Sequence, residues 1–183
     1  MQIRNANLGG IPVWLDTLNT ADRVNLLELY ARSVMLLELG RAAEWTDLFV
    51  PNALLCCGSQ QFRGRAELLD LARRTIAGEF DLAAGPQTSR SRYCHSLSDV
   101  SLFADGLQHA SGFAHLNVFT VGDSGAPRWL AFGVYSDKLS KCGVGCWRFD
   151  SRVLTAGGAV TVQSALDLAL PARAAGATKR LGL

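Results

Sequence analysis

Helices first and a strand meander after predict an α+β fold, with the helices packed on one face of an antiparallel sheet. Two observations carry this. Up to Gly78 the apolar residues recur mainly at helical spacing, whereas from Arg92 onward polar and apolar residues alternate. Short turn signals such as Asp105-Gly106 then separate four alternating runs, as a meander requires. A length of 183 residues suits one domain with a sizeable core, and 49% hydrophobic against 19% charged residues excludes a disordered chain.

Residues 1–19 are irregular, broken by Gly9, Gly10 and Pro12, and form an N-terminal extension whose Trp14 makes it a candidate lid. Thr20 offers an N-cap, Asp22 complements the helix dipole and Gly40 can end the helix. Between them Val24, Leu27, Ala31, Val34 and Leu37 to Leu39 fall at helical spacing on more than one side, which predicts burial between layers. A shorter helix is expected over Ala42–Phe49, stopped by Pro51, then a strand over Ala53–Cys57 and a turn over Gly58–Gly64. Arg65–Ala77 reads as a helix ended by Gly78, and residues 79–91, with Gly85-Pro86, as a loop. Strands are expected over Arg92–Ala104, Leu107–Val121, Arg128–Leu139 and Cys146–Leu154, with a turn over Gly122–Pro127. The Ala-rich tail from Gly157 is given a helix near Ser164–Leu170 and a loose arm beyond Pro171.

Several chemistries are excluded. A formal charge of +2 with scattered Arg residues gives no basic stripe for nucleic acid. No apolar run reaches the roughly 18 residues of a membrane span, and the start of the chain lacks the apolar stretch of a signal peptide. The cysteines at 56, 57, 94, 142 and 146 are odd in number and form no disulfide framework, so reduced thiols in a cytoplasm are expected. Cys142-Gly-Val-Gly-Cys146 lacks zinc-ligand spacing and its glycines fit a turn, so no metal is expected. There is no G-x-S-x-G elbow for a serine hydrolase.

The three histidines are the natural proton carriers. On the second long strand His109, Ser111, Phe113, His115 and Asn117 share one face, and Gln108, Ala110, Gly112, Ala114 and Leu116 the other. On the first, Tyr93, His95 and Asp99 share a face. If both polar faces point inward, His95, His115 and Asn117 converge with Glu38 and Tyr30, which lie about 80° apart around their helix. A carboxylate on so apolar a helix is costly to bury unless paired. Glu38 is therefore expected to orient a histidine or to act as the base itself.

A set of short patterns adds to this. Tyr30 and Glu38-Leu39-Gly40-Arg41 are followed by Glu44-Trp45 and Leu48-Phe49, and Phe62-Arg63-Gly64 precedes a helix. Cys94-His95 opens the first long strand, then come Gly133-Val134-Tyr135-Ser136-Asp137 and Trp147-Arg148-Phe149 with Arg152. In this order they resemble the SnoaL-like branch of the nuclear transport factor 2-like superfamily, over residues 20–155. Glu38 stands where that family usually has Asp, Cys94 where it has Arg, and Asp99 where Asn is frequent. The resemblance implies a cone, its curved antiparallel sheet wrapped around the long N-terminal helix and enclosing one pocket. It divides the chain into an extension (1–19), the domain (20–155) and a tail (156–183).

The implied function is cofactor-independent acid–base catalysis on a hydrophobic, oxygenated small molecule, as a dehydratase, isomerase or cyclase of secondary metabolism (polyketide or terpenoid). Epoxide hydrolysis, or a non-catalytic binding or accessory-subunit module, are the alternatives. His95, Glu38 and His115 are the expected catalytic residues. Tyr30, Trp45, Tyr93, Asp99, Phe113, Asn117, Tyr135 and Asp137 are expected to contact substrate. The convex sheet face, with Leu130, Phe132, Val134 and Trp147, is expected to pack against a second copy as a homodimer, with neither nucleic acid nor membrane as partner.

Overall fold

The computed structural model describes residues 18–83, 85–86, 93–121 and 127–156. Among these residues three helices, α1 (Thr20–Glu38), α2 (Ala42–Thr46) and α3 (Gly64–Ile76), accompany eight strands. These are β1 (Phe49–Cys57), β2 (Gln60–Arg63), β3 (Phe80–Asp81), β4 (Gly85–Pro86), β5 (Tyr93–Ala104), β6 (His109–Val121), β7 (Pro127–Gly143) and β8 (Cys146–Ala156). Six of them form one sheet in the order β2-β1-β8-β7-β6-β5, and β3 pairs with β4. The α+β reading holds. The sheet is curved and mixed, because β1 joins β8 in parallel while every other neighbour is antiparallel.

Local chemistry sets the helix ends. Asn19, one residue before the expected cap, accepts the Asp22 N–H at 2.8 Å. At the other end Gly40 takes a φ of 74°, and the Gly40 and Arg41 amides return to Leu37 and Leu36, closing the helix carbonyls that would otherwise be orphaned. The second helix is shorter than expected, and the chain is extended from Phe49. Pro51 therefore sits inside β1, in the stretch between Phe49 and Leu54 where pairing with β8 is irregular, so its missing N–H costs no ladder bond.

Helix α1 lies across the inner face of the sheet. Leu26, Leu29, Tyr30, Leu36 and Leu37 meet Leu102, Ala110, Ala114, Leu116, Val118, Leu139, Phe149 and Leu154 in one core. The small inward residues of β6 permit this close approach: a Cβ on Gly112 would lie 2.2 Å from the Tyr30 hydroxyl oxygen. The face of β6 carrying His109, Phe113, His115 and Asn117 therefore points away from α1. On β5 the alternation also breaks. Asp99 has a φ of 52° and the pairing shifts between Ser98 and Ser101, so His95 and Leu102 are both buried inward while Asp99 is exposed.

Two further expectations are corrected. Cys142 and Cys146 are disulfide-bonded across the β7–β8 turn, with Cα atoms 5.2 Å apart, whereas Cys56, Cys57 and Cys94 are free. Trp147 faces inward rather than onto the convex surface, its Nε1 donating to Asp22 at 2.9 Å. The proposed lid, the Gly122–Pro127 turn apart from Pro127, and the Ser164–Leu170 helix lie outside the described residues. Among those residues no helix is long and apolar enough to cross a membrane.

Candidate active site

His95 projects from β5 into the angle between α1 and the β3 turn, and only 8% of its surface is exposed. Its Nε2 lies 3.2 Å from Asp81 Oδ2. Its backbone N–H donates to Glu38 Oε1 at 2.6 Å, and the same oxygen is 4.0 Å from the ring Nδ1. Glu38 is thus drawn onto His95 by the last turn of α1, while Arg41 pairs with Glu44 instead. The Nδ1 atom is buried and has no hydrogen-bond partner among the described residues.

Ser33, Val34, Leu37, Trp45, Leu82, His95, Leu116, Tyr135 and Arg152 line a small cavity at this point. The cavity is about 10 Å³, room for roughly one water molecule. Leu82 also borders a larger groove of about 380 Å³, formed with Cys57 to Gln60 and Val153 to Ala156. Trp45 is fixed in the cavity wall by its Nε1 donating to the Ser33 carbonyl at 2.9 Å.

Behind the cavity the Arg152 guanidinium makes a bidentate pair with Asp137, at 3.0 and 2.9 Å, and donates to Ser33 Oγ at 3.2 Å. It lies 3.9 Å from the Phe149 ring centroid and 4.1 Å from that of Tyr135. Burial works against its charge, but Asp137 more than offsets this, so Arg152 is held charged above its usual range. Burial also pushes the Tyr30 and Tyr135 hydroxyls up, which keeps both protonated. The free thiols are poor nucleophiles. Burial pushes Cys57 up to about 12, and burial together with the Glu38 carboxylate raises Cys94.

The model of the SnoaL-like domain matches residues 19–153. The chain belongs to the SnoaL-like family. Among solved structures this SnoaL-like chain is similar to an NTF2-like protein with a cystatin-like fold from Novosphingobium aromaticivorans, at 22% identity over 79% of this chain and 88% of that one, with a TM-score of 0.64. A second protein from that organism, described provisionally as a scytalone dehydratase, matches at 17% identity over 75% and 85% of the two chains, with a TM-score of 0.59. ActVI-ORFA from Streptomyces coelicolor matches at 15% identity over 73% and 96%, with a TM-score of 0.61. At these identities the likeness is one of fold. A comparison with curated proteins gave no match.

In this SnoaL-like chain His95, Trp45 and Tyr135 come together at the cavity, Glu38 is joined to them through His95, and Tyr30 and Asp137 stand around Arg152. Tyr93 is half-buried at the edge of the same core. His115 does not join them. It lies on the convex face, where Nδ1 meets Asp99 Oδ2 at 2.9 Å and its ring packs on Phe132. The His115 hydrogen bond, then that of Ser98, lowers the Asp99 carboxyl below its usual range. Phe113 packs with Val134 on that face, and Asn117 stands opposite Ser96 and Phe132 there. His109 contacts Ser140, whose hydroxyl also donates to Asp150; the imidazole does not bridge serine and aspartate, so this is no catalytic triad.

Sequence reasoning missed Asp81 and Ser33, and noted Arg152 only as part of a strand pattern. Asp81 falls in Phe80-Asp81-Leu82, where a carboxylate between two large apolar residues was the available signal. Among the described residues no cluster of three or more His, Cys, Asp or Glu could hold a metal ion.

Proposed function

We propose that the chain is an enzyme of small-molecule metabolism that moves a proton with His95, acting without a cofactor as a dehydratase, isomerase or cyclase. The observation that carries this is a buried imidazole that borders a cavity, with carboxylates at both of its nitrogens and Nδ1 without a hydrogen-bond partner among the described residues. A neutral Nδ1 accepts a proton from a carbon next to a carbonyl. Arg152, its charge matched by Asp137, lines the same wall, and its remaining N–H groups favour the oxyanion that results. In a dehydration the double bond forms as the β-hydroxyl leaves, taking the proton from Nδ1 and departing as water. Trp45, Leu37, Leu116 and Tyr135 supply an apolar wall for a hydrophobic, oxygenated substrate. Because the cavity holds only about one water, such a substrate displaces side chains on entry, and Leu82 separates it from the larger groove.

The test is a panel of hydrophobic β-hydroxy ketones, followed by absorbance and mass for loss of water. Turnover above the spontaneous rate supports the reading. The tightly filled interior favours a second reading, a non-catalytic binding module. Tight binding of several panel members with no turnover of any would establish it. We also propose a homodimer through the convex face, where Phe103, Phe113, Phe132 and Val134 cluster and Leu130 is exposed.

A further inference from the structure

The β3 turn brings a second carboxylate to His95. Phe80 and Asp81 pair with Pro86 and Gly85, and Asp81 Oδ1 accepts the Ala83 N–H at 2.9 Å. These contacts hold a side chain that is 0% exposed with Oδ2 at 3.2 Å from His95 Nε2. An ionised carboxylate can only accept a hydrogen bond, and burying one is costly unless a donor meets it. A neutral imidazole has a single N–H. If Nε2 carries it, that N–H donates to Asp81 Oδ2 and Nδ1 is left with its lone pair. If Nδ1 carries it, Asp81 and the bare Nε2 face each other as two acceptors at 3.2 Å, which is repulsive.

We propose that Asp81 is the positioning residue of this site, fixing His95 as the Nε2–H tautomer so that Nδ1 is the basic atom. This rests on the acid–base reading only in making Nδ1 the atom that takes the substrate's proton. A proton taken there arrives 4.0 Å from Glu38 Oε1, while Nε2 stays bonded to Asp81. Among the described residues the charged and titratable groups around the ring are Glu38 from α1, Asp81 from β3, Cys94 beside it on β5, Tyr135 from β7 and Arg152 from β8. Arg152 is already matched by Asp137, so the two carboxylates at the ring decide the tautomer.

Nitrogen-15 spectra of the imidazoles in the full chain test this without any substrate, with the His95 signals assigned by their loss in His95→Gln. At a pH where His95 is neutral, the wild type should show a protonated, pyrrole-type Nε2 and an unprotonated, pyridine-type Nδ1. In Asp81→Ala, Glu38 is the carboxylate left at the ring and the Nδ1–H form should predominate. Should Asp81→Ala fail to fold, Asp81→Asn keeps the volume, and the wild-type spectrum decides the tautomer by itself. A wild-type His95 protonated at Nδ1, or an unchanged tautomer in Asp81→Ala, overturns the proposal. Either result is distinguishable from failure of the acid–base reading, which appears as absent turnover in the wild type.

Discussion

At the residue scale the costliest commitment in the interior is Arg152 with Asp137. Both are essentially buried, and each satisfies the other through two hydrogen bonds. Such a pair adds little net stability, but removing one member leaves an uncompensated buried charge. Arg152→Met should therefore lower the unfolding free energy by about 3–5 kcal/mol in urea titrations; a loss under about 1 kcal/mol would show that Asp137 finds another partner. Gly112 is constrained by a different force. An alanine there meets the Tyr30 hydroxyl, so Gly112→Ala should cost about 1–3 kcal/mol, and less in a Tyr30→Phe background where that oxygen is gone. Equal costs in both backgrounds would place the clash elsewhere.

At the element scale α1 is held at both ends by carboxylates, and the two ends have different tasks. Near its start Asp22 binds Lys141 Nζ at 2.8 Å and Trp147 Nε1 at 2.9 Å, tying the helix to the disulfide-closed end of the β7–β8 hairpin. Lys141 and then Trp147 lower the Asp22 carboxyl below its usual range. Because the folded value is the lower one, this stability is fully present above the ordinary Asp range near 3.8 and is lost as pH falls through the folded value. Asp22→Asn should lower stability at neutral pH and flatten that acid limb, as read by urea midpoints from pH 7 down to about 2. An acid limb as steep as in the wild type would contradict it.

The helices and the long strands were legible from period and punctuation, since Gly40, Gly78 and Asp105-Gly106 end or turn the chain where expected, whereas β2, β3 and β4 read as turn and loop. Which face of β6 turns inward was not. Alternation gives two faces without saying which one meets α1, and the polar face looked like a site. The decisive quantity was volume: Ala110, Gly112 and Ala114 are small because a helix crosses them. The bulge at Asp99 hid the rest, because it changes the phase of β5 halfway along. Asp81 was obscured for a related reason, lying in a segment whose Gly85-Pro86 reads as loop although its backbone pairs.

At the scale of the whole molecule the sheet has two faces with separate uses. The inner one carries the core and the His95 cavity; the outer one carries His115 with Asp99, and the Phe103, Phe113, Phe132 and Val134 cluster. For the proposed dimer, light scattering at micromolar concentration should give about twice the chain mass of 19.7 kDa, and Phe132→Asp should shift the mass toward one chain. A wild-type mass near 19.7 kDa would remove the dimer from the account.

His95 and His115 thus lie on opposite faces, and their variants should behave differently. The most direct measurement is deuterium exchange in D₂O at the carbon beside the carbonyl of whichever panel ketone the wild type turns over. His95→Gln should lose about 10²-fold or more of the catalysed rate, and His115→Gln should keep it. Full exchange in His95→Gln, or its loss in His115→Gln alone, would contradict the assignment of the site to the inner face.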